Sequence, residues 1–485
     1  MGTSRVVPAV AAIALGCLVA AGCAVNPATG KRQLSLISEQ QEIQLGLEND
    51  RQVQAQMGLY EDPDLQAYVQ RVGTALALQS ERPDLDWKFR VVDDTSVNAF
   101  ALPGGFIYVT RGILAHLNSE AELAAVLGHE IGHVTARHGV NQMSKAQLAQ
   151  LGLGVGMILA PEAAEQFGGL AQTGMSLLFL KFSRDDERQA DDLGLRYAVR
   201  TGYDPRESPH VYEMLERVSA EGDGGRLPGW MSTHPAPENR QATMEAKIAT
   251  MGGDFSGTAV DRAGYFERID GMTFGEDPRE GYFRDERFFH PGMEFRYDFP
   301  QGWTVRNQRL AVMGVSPQED AMIQLTLANA DSADQALNAF FNQEGIRAGQ
   351  RWRSSIGGFP AASSSFLVET QQGTLIGLVA YLSYKGVVFQ LLGFATQAQW
   401  DRYDETIAGS LASFDRLTDP VALAVEPKKL EIVTPRNSIG LAAFALSYDA
   451  TVPVRTLALI NQLDADEFLQ PGRPYKSVTG GVLPD

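Results

Sequence analysis

His129-Glu130-Ile131-Gly132-His133 is the stretch on which the reading of this chain turns. On a helix, residues four apart share a face, so the two imidazoles can grip one metal ion while Glu130 stands beside the open coordination position. The preceding Ala121-Glu122-Leu123-Ala124-Ala125-Val126-Leu127-Gly128 is a good helix former with an apolar stripe, and the helical pattern is expected from Ser119 to about His138. A catalytic zinc needs a third protein ligand and an open position. His138 follows His133 by five residues and reads as a helix-end or surface histidine. The better candidate lies in Arg184-Asp185-Asp186-Glu187-Arg188-Gln189-Ala190-Asp191, in a helix expected over 184–200 and closed by Gly202 and Pro205. There Glu187 and Asp191 share a face, so one carboxylate can bind the metal while the other accepts an imidazole N–H. Ala190 between them leaves room for close helix packing.

Working outward, a polar helix is expected from Ser38 to Met57 and a second from Pro63 to Ala77, with Leu65, Tyr68, Val69, Val72 and Leu76 at helical spacing. Trp87 to Val92 is strand-like. Val97-Asn98-Ala99-Phe100-Ala101, the turn Leu102-Pro103-Gly104-Gly105, and Phe106-Ile107-Tyr108-Val109 read as a hairpin.

HEIGH, Glu187-Arg188-Gln189-Ala190-Asp191, the Asn98 to Ala101 segment with its Pro-Gly-Gly turn, and Thr233-His234-Pro235 with Arg240 occur in that set along the chain. Together they resemble the gluzincin metallopeptidases, in the branch that includes the CAAX prenyl protease, HtpX, the Oma-type protease and BepA. The resemblance covers about residues 28–250. It implies that His129, His133 and Glu187 bind one zinc ion, that Glu130 is the catalytic carboxylate, and that Asp191 supports a ligand from behind. It also brings His234 close to the site, either stabilising the oxyanion or taking the fourth metal position, with Arg240 orienting that loop or the oxyanion. Asn98, Ala99, Phe100 and Ala101, if they form a sheet edge, would pair with an extended substrate backbone and leave sequence preference weak.

Met1 to Gly22 has one cation, Arg5, and an apolar run from Val6 to Ala21, the build of a signal peptide. It ends in Leu18-Val19-Ala20-Ala21-Gly22-Cys23, which is similar to a lipobox, so Cys23 is the expected lipidation site and the outer membrane the expected destination. Apart from this run, no apolar stretch reaches the length of a membrane-spanning helix. With Lys+Arg 41 against Asp+Glu 59 the net charge is −18, which disfavours a nucleic-acid partner. Cys17 would leave with the signal, and the single cysteine remaining excludes an intrachain disulfide.

The expected architecture is α+β: a signal at 1–22, a lipidated linker at 23–37, and a mainly helical zincin domain with a small sheet at 38–255. Beyond a Gly-rich linker near 251–257, short strands with two intervening helices, over 332–343 and 397–414, suggest an antiparallel α+β module at 262–420, similar to small PsbP-like modules. Residues 428–480 resemble a degenerate LysM domain, its end strands paired and helices between, which implies peptidoglycan as a partner. The expected function is a zinc endopeptidase, lipid-anchored in the periplasm, that hydrolyses misfolded or stalled envelope proteins. The alternative is a latent or inactive peptidase-fold chaperone or scaffold associated with peptidoglycan or outer-membrane assembly.

Overall fold

The computed structural model describes residues 23–150, 181–221, 229–234, 239–370 and 373–483. The expected signal at 1–22, the apolar Gly-rich stretch at 152–160 and Pro235 lie outside these residues. Two compact units emerge: the first from Met1–Phe274 together with Lys429–Thr479, the second from Gly275–Lys428 together with Gly480–Asp485. The boundary expected near residue 255 therefore falls inside the first unit.

The segment read as a linker at 23–37 carries a hairpin instead: β1 (Cys23–Val25) pairs antiparallel with β2 (Arg32–Leu34). It is tied down because the Asn26 and Gln33 side-chain amides both donate to the carbonyl of Ala136, at 3.3 and 3.2 Å. Helix α1 (Glu39–Met57) starts at Ser38 with a reciprocal cap between Ser38 and Gln41. Its inner face is acidic and paired. Glu42 accepts from Arg82 and Arg137, each at 2.7 Å, and Asp50 accepts from the Tyr108 hydroxyl at 2.6 Å. Helix α2 (Pro63–Ala77), capped by Asp62, buries Leu65, Tyr68, Val69, Val72 and Leu76 as their spacing predicts.

The small sheet has the order β3-β5-β4, with β3 (Lys88–Val92) parallel and β4 (Ala99–Leu102) antiparallel to β5 (Phe106–Thr110). That order leaves β4 at an edge. After the short α3 (Arg111–His116), the HEIGH helix α4 (Glu120–Thr135) opens on a Ser119 cap and is buried on nearly every side. It ends earlier than the sequence pattern suggests. Arg137 adopts φ 59°, held there by donating to Glu42 and to the carbonyl of Ile37, and α5 (His138–Gln150) begins a new helix. Helix α6 (Arg184–Thr201) has a Ser183–Asp186 capping box and stops at Gly202 in the left-handed region. The unit continues through α7 (Ser208–Glu221), α8 (Trp230–Thr233), α9 (Arg240–Met251), α10 (Arg262–Ile269) and β6 (Thr273–Phe274). Helix α10, expected in the following module, buries Tyr265, Phe266 and Ile269 in the core of this unit.

In the second unit, β7 (Tyr282–Arg284), β8 (Arg287–His290), β9 (Phe295–Asp298) and β17 (Asp415–Arg416) form a small sheet. The main sheet is antiparallel and seven-stranded, in the order β10-β11-β12-β16-β15-β14-β13. Its strands are β10 (Thr304–Gln308), β11 (Ala311–Val315), β12 (Ala321–Ala328), β13 (Ile346–Ile356), β14 (Phe359–Thr370), β15 (Gly373–Tyr384) and β16 (Val387–Thr396). Alternate residues separate its two faces. Ala362, Val379, Tyr381 and Val388 pack with α11 (Ala333–Phe341), while Ala361, Ala380, Leu382 and Phe389 pack with α12 (Trp400–Leu411). A short α13 (Pro420–Leu423) follows.

The C-terminal segment returns to the first unit. Strand β18 (Lys428–Val433) lies between β21 (Tyr475–Gly480) and β6, and between the end strands come β19 (Ile439–Gly440), α14 (Leu441–Ser447), α15 (Val454–Asn461) and β20 (Phe468–Leu469). The expected strand-helix-helix-strand order is present. It is not a separate body, however: Leu430, Leu441, Phe444, Leu457 and Val478 belong to the same apolar core as α2, α4 and α10.

Candidate metal centre

Helices α4 and α6 meet at glycine. A methylene added at Gly194 would lie 2.7 Å from the backbone N of His129, and one at Gly132 would lie 2.9 Å from the carbonyl oxygen of Ala190. Only hydrogen side chains allow backbones this close. The close approach carries Glu187 from α6 to the two histidines of α4. His129 Nε2 and His133 Nε2 stand 3.0 Å apart, with the Glu187 carboxylate oxygens 3.5 and 3.3 Å from them. His234, at the end of α8, completes the group. Its Nδ1 is 3.1 Å from Glu187 Oε1 and 3.4 Å from His129 Nε2.

Both histidines of α4 have their tautomers set from behind. Asp191 accepts only, so His129 Nδ1–H donates to it at 2.9 Å and leaves Nε2 as a lone pair. His138 Nε2–H donates to Gln189 Oε1 at 3.0 Å, which makes its Nδ1 the acceptor for His133 Nδ1–H at 2.9 Å. His133 Nε2 is therefore also a lone pair. Two lone pairs 3.0 Å apart, facing a carboxylate, repel unless a cation lies among them. The buried oxygens agree: both of Glu130 and Oε2 of Glu187 have no hydrogen-bond partner among the described residues. The residues fit a divalent metal, and a nitrogen-and-carboxylate donor set is what zinc takes.

Electrostatics follow from the same packing. Burial pushes the Glu130 carboxyl up to about 8 and the His129 imidazole down to about 3, each toward its neutral form. Burial also raises Glu187, but its contacts with the surrounding imidazoles, His234 first and then His133, overcome it and hold that carboxyl well below the usual range. Asp191 is likewise held down, against its burial, by Arg240 and His129.

Sequence reasoning assigned Arg240 to the loop or the oxyanion. The structure puts it on Asp191, with Nε 2.8 Å from Oδ2 and the guanidinium 4.3 Å from the centre of the Tyr212 ring. Asp191 also accepts from the Tyr212 hydroxyl at 2.8 Å, and Arg240 Nη2 reaches past it to lie 3.3 Å from Glu187 Oε2 and 3.1 Å from His129 Nδ1. His138 stands at a helix end as expected, being the first residue of α5. It is buried behind His133 instead of on the surface, because the chain turns sharply at Arg137. Aromatic side chains that no motif announced line the site: Phe182 lies against His133 with ring centres 4.0 Å apart, and Trp230 stacks on His234 at 4.3 Å. Asn98, Ala99 and Phe100 are buried, the Phe100 ring stacking on Tyr108 at 4.8 Å, so this strand offers a substrate its backbone edge more than its side chains. At the entry to that edge, the Trp230 N–H donates to the Val97 carbonyl at 3.3 Å. The side chain of Cys23 is outside the described residues.

Comparison with known proteins agrees with this geometry. Residues 63–248 match the model of Peptidase family M48. The chain is 40% identical over 169 residues to the mitochondrial metalloendopeptidase OMA1 of Arabidopsis thaliana, covering 34% of this chain and 32% of that one. It is 31% identical over 224 residues to the beta-barrel assembly-enhancing protease of Escherichia coli (strain K12), covering 44% and 45%. The chain thus spans less than half of the length of these relatives. A solution structure of cyanobacterial PsbP from Synechocystis matches 27% of this chain and 91% of its own at 12% identity, with a TM-score of 0.23. The ligand atoms are gathered as the gluzincin resemblance implies, and they all lie within residues 63–248, the stretch that matches the model of Peptidase family M48.

Proposed function

We propose that this protein is a zinc-dependent endopeptidase of the bacterial envelope, holding one zinc ion per chain through His129, His133 and Glu187. The observation that carries the chemistry is the pair of Nε2 lone pairs 3.0 Å apart, each fixed by a partner behind the ring. A bound zinc ion supplies a Lewis acid that polarises a peptide carbonyl and makes water a better acid. Among the described residues, Glu130 stands beside the ligands with both carboxyl oxygens free of hydrogen bonds; burial alone favours its neutral form, and a cation held there would draw it back to the ionised form that takes the proton of the attacking water and returns it to the leaving nitrogen. The free edge of β4 holds the substrate backbone extended, which suits a protease of unfolded chains. A purified Glu130→Gln variant is expected to keep its zinc and lose casein cleavage. Cleavage at the wild-type rate would refute the mechanism, and a folded wild-type protein without zinc would refute the cofactor.

The setting we propose is the periplasmic face of the outer membrane, with Cys23 lipidated and misfolded or stalled envelope proteins as substrates. The apolar run that ends at Cys23 supports it, as does the relative named a beta-barrel assembly-enhancing protease. Among the described residues, no helix is long and apolar enough to cross a membrane. Palmitate labelling that is absent from Cys23→Ala, with release of that variant into the soluble fraction, is the expected result. The strand-helix-helix-strand order of the C-terminal segment supports a LysM-like contact with peptidoglycan, which co-sedimentation with purified sacculi tests.

A latent resting form is the second reading, and His234 favours it, since its Nδ1 already lies within the ligand group. If His234 occupies the fourth position at rest, His234→Ala raises casein turnover. If it stabilises the oxyanion, turnover falls.

A further inference from the structure

Strand β13 (Ile346–Ile356) was not foreseen from the sequence, because its residues do not alternate between apolar and polar. It is the last strand of the seven-stranded sheet and, among the described residues, has only β14 as a neighbour, so its outer side presents backbone N–H and C=O groups to solvent. All of residues 347–355 are exposed, on both faces. In a chain of net charge −18 this strand carries Arg347, Arg351 and Arg353 and no acidic residue. The register with β14 sets their directions. Arg353 lies opposite Ala362, on the face covered by α11, where Arg351 and Arg353 donate to Asn338 and Asp334, each at 3.0 Å. Trp352 lies opposite Ser363 on the other face, 39% exposed, and Arg347 lies opposite Leu367 on that same face. A bulge between Ala348 and Arg351 divides the strand and leaves Arg351 to Ile356 as a regular run.

We propose that β13 is a docking edge for an acidic, extended polypeptide segment, which adds to the sheet as an eighth, antiparallel or parallel strand. Arginines along an edge discourage neutral and basic strands from pairing, so the same residues that protect the edge also make it selective. A second copy of β13 as the occupant would crowd a second set of three arginines along the same seam. An acidic strand meets cations on both faces and can lay an apolar side chain on the Trp352 indole, while main-chain hydrogen bonds supply affinity that does not depend on its exact sequence. A polyanionic nucleic acid would have to approach a protein that is acidic elsewhere.

The test titrates the full chain with a fluorescein-labelled peptide that alternates Glu with Val or Thr over the length of β13, read by anisotropy. Saturable binding is expected, weakened by salt, with the dissociation constant raised about tenfold or more by Arg347→Glu combined with Arg353→Glu. The milder Arg347→Gln, Arg353→Gln pair carries the test if the charge reversal alters thermal unfolding. The same peptide N-methylated at alternate amides is expected not to bind, which distinguishes strand addition from mere charge attraction. Equal affinity for wild type and variants, or equal binding of the methylated peptide, overturns the proposal. So does retention of phosphatidylglycerol vesicles through these arginines when the peptide does not bind.

Discussion

Lys476 donates its Nζ to the carbonyl oxygen of Ala115 at 2.7 Å, across 361 residues of sequence. The same Nζ reaches the carbonyl of Leu117 at 2.9 Å, so strand β21 closes the carbonyl end of α3 just before the HEIGH helix begins. Residues 429–479 are thereby part of the body that carries the metal centre. Lys476→Met leaves these two carbonyls buried without a donor and is expected to cost about 1–3 kcal/mol. Ending the chain before β18 uncovers Tyr265, Phe266 and their neighbours and is expected to abolish cooperative unfolding. Urea titrations followed by circular dichroism measure both, and a truncated chain as stable as the full one would contradict the shared core.

Glu122 gives a pH signature. It accepts from the Asn118 N–H at 2.7 Å and from Gln462 Nε2 at 2.8 Å, yet burial raises its carboxyl from 4.5 to about 7. A carboxyl whose folded value lies above its unfolded value binds its proton more tightly in the folded state. Its stabilising contribution is full below pH 4.5 and is lost as pH rises through about 7. The difference in unfolding free energy between Glu122→Gln and wild type should therefore grow in favour of the variant across that window and stay level above it. A difference independent of pH would rule this out.

Gly194→Ala tests whether helix proximity builds the metal centre. The added methyl meets the backbone N of His129 at 2.7 Å and the carbonyl carbon of Gly128 at 2.8 Å, and backbone cannot swing away as a side chain does. Overpacking of this kind costs about 1–3 kcal/mol. Zinc content should fall with stability, because moving α6 outward carries Glu187 away from the histidines. A stable variant with a full complement of zinc would show that the close approach is incidental.

Asp191→Asn keeps the size of the side chain but removes the charge that faces His129 Nδ1 and Arg240. Loss of such a partner typically weakens metal binding about 10–100-fold. Competition with a chromogenic chelator at fixed pH reads the change directly. His138→Phe should lower affinity as well, through the unpaired Nδ1–H of His133. Unchanged zinc affinity in both variants would remove the argument from tautomers.

The amino-acid sequence by itself determined the two local pairs of the candidate metal centre. HEIGH and ERQAD are short-range patterns, and helical geometry alone puts His129 beside His133 and Glu187 beside Asp191. It also determined the ends of α1, α2 and α6, where Ser38, Asp62, Ser183 and Gly202 act on their own backbones. What lay between distant residues was decided only in three dimensions. The burial of His138 could not be read from its neighbours, because nothing local reveals that Arg137 turns back to meet Glu42, 95 residues earlier, and so swings the next histidine behind His133. Arg240 finds Asp191 across 49 residues, and β13 is a strand because β14 pairs with it, not because its own residues favour one. The C-terminal segment could be read as a βααβ unit from its own pattern, but its docking against Ala115, Leu117 and α10 depends on apolar surfaces whose partners no spacing rule can name.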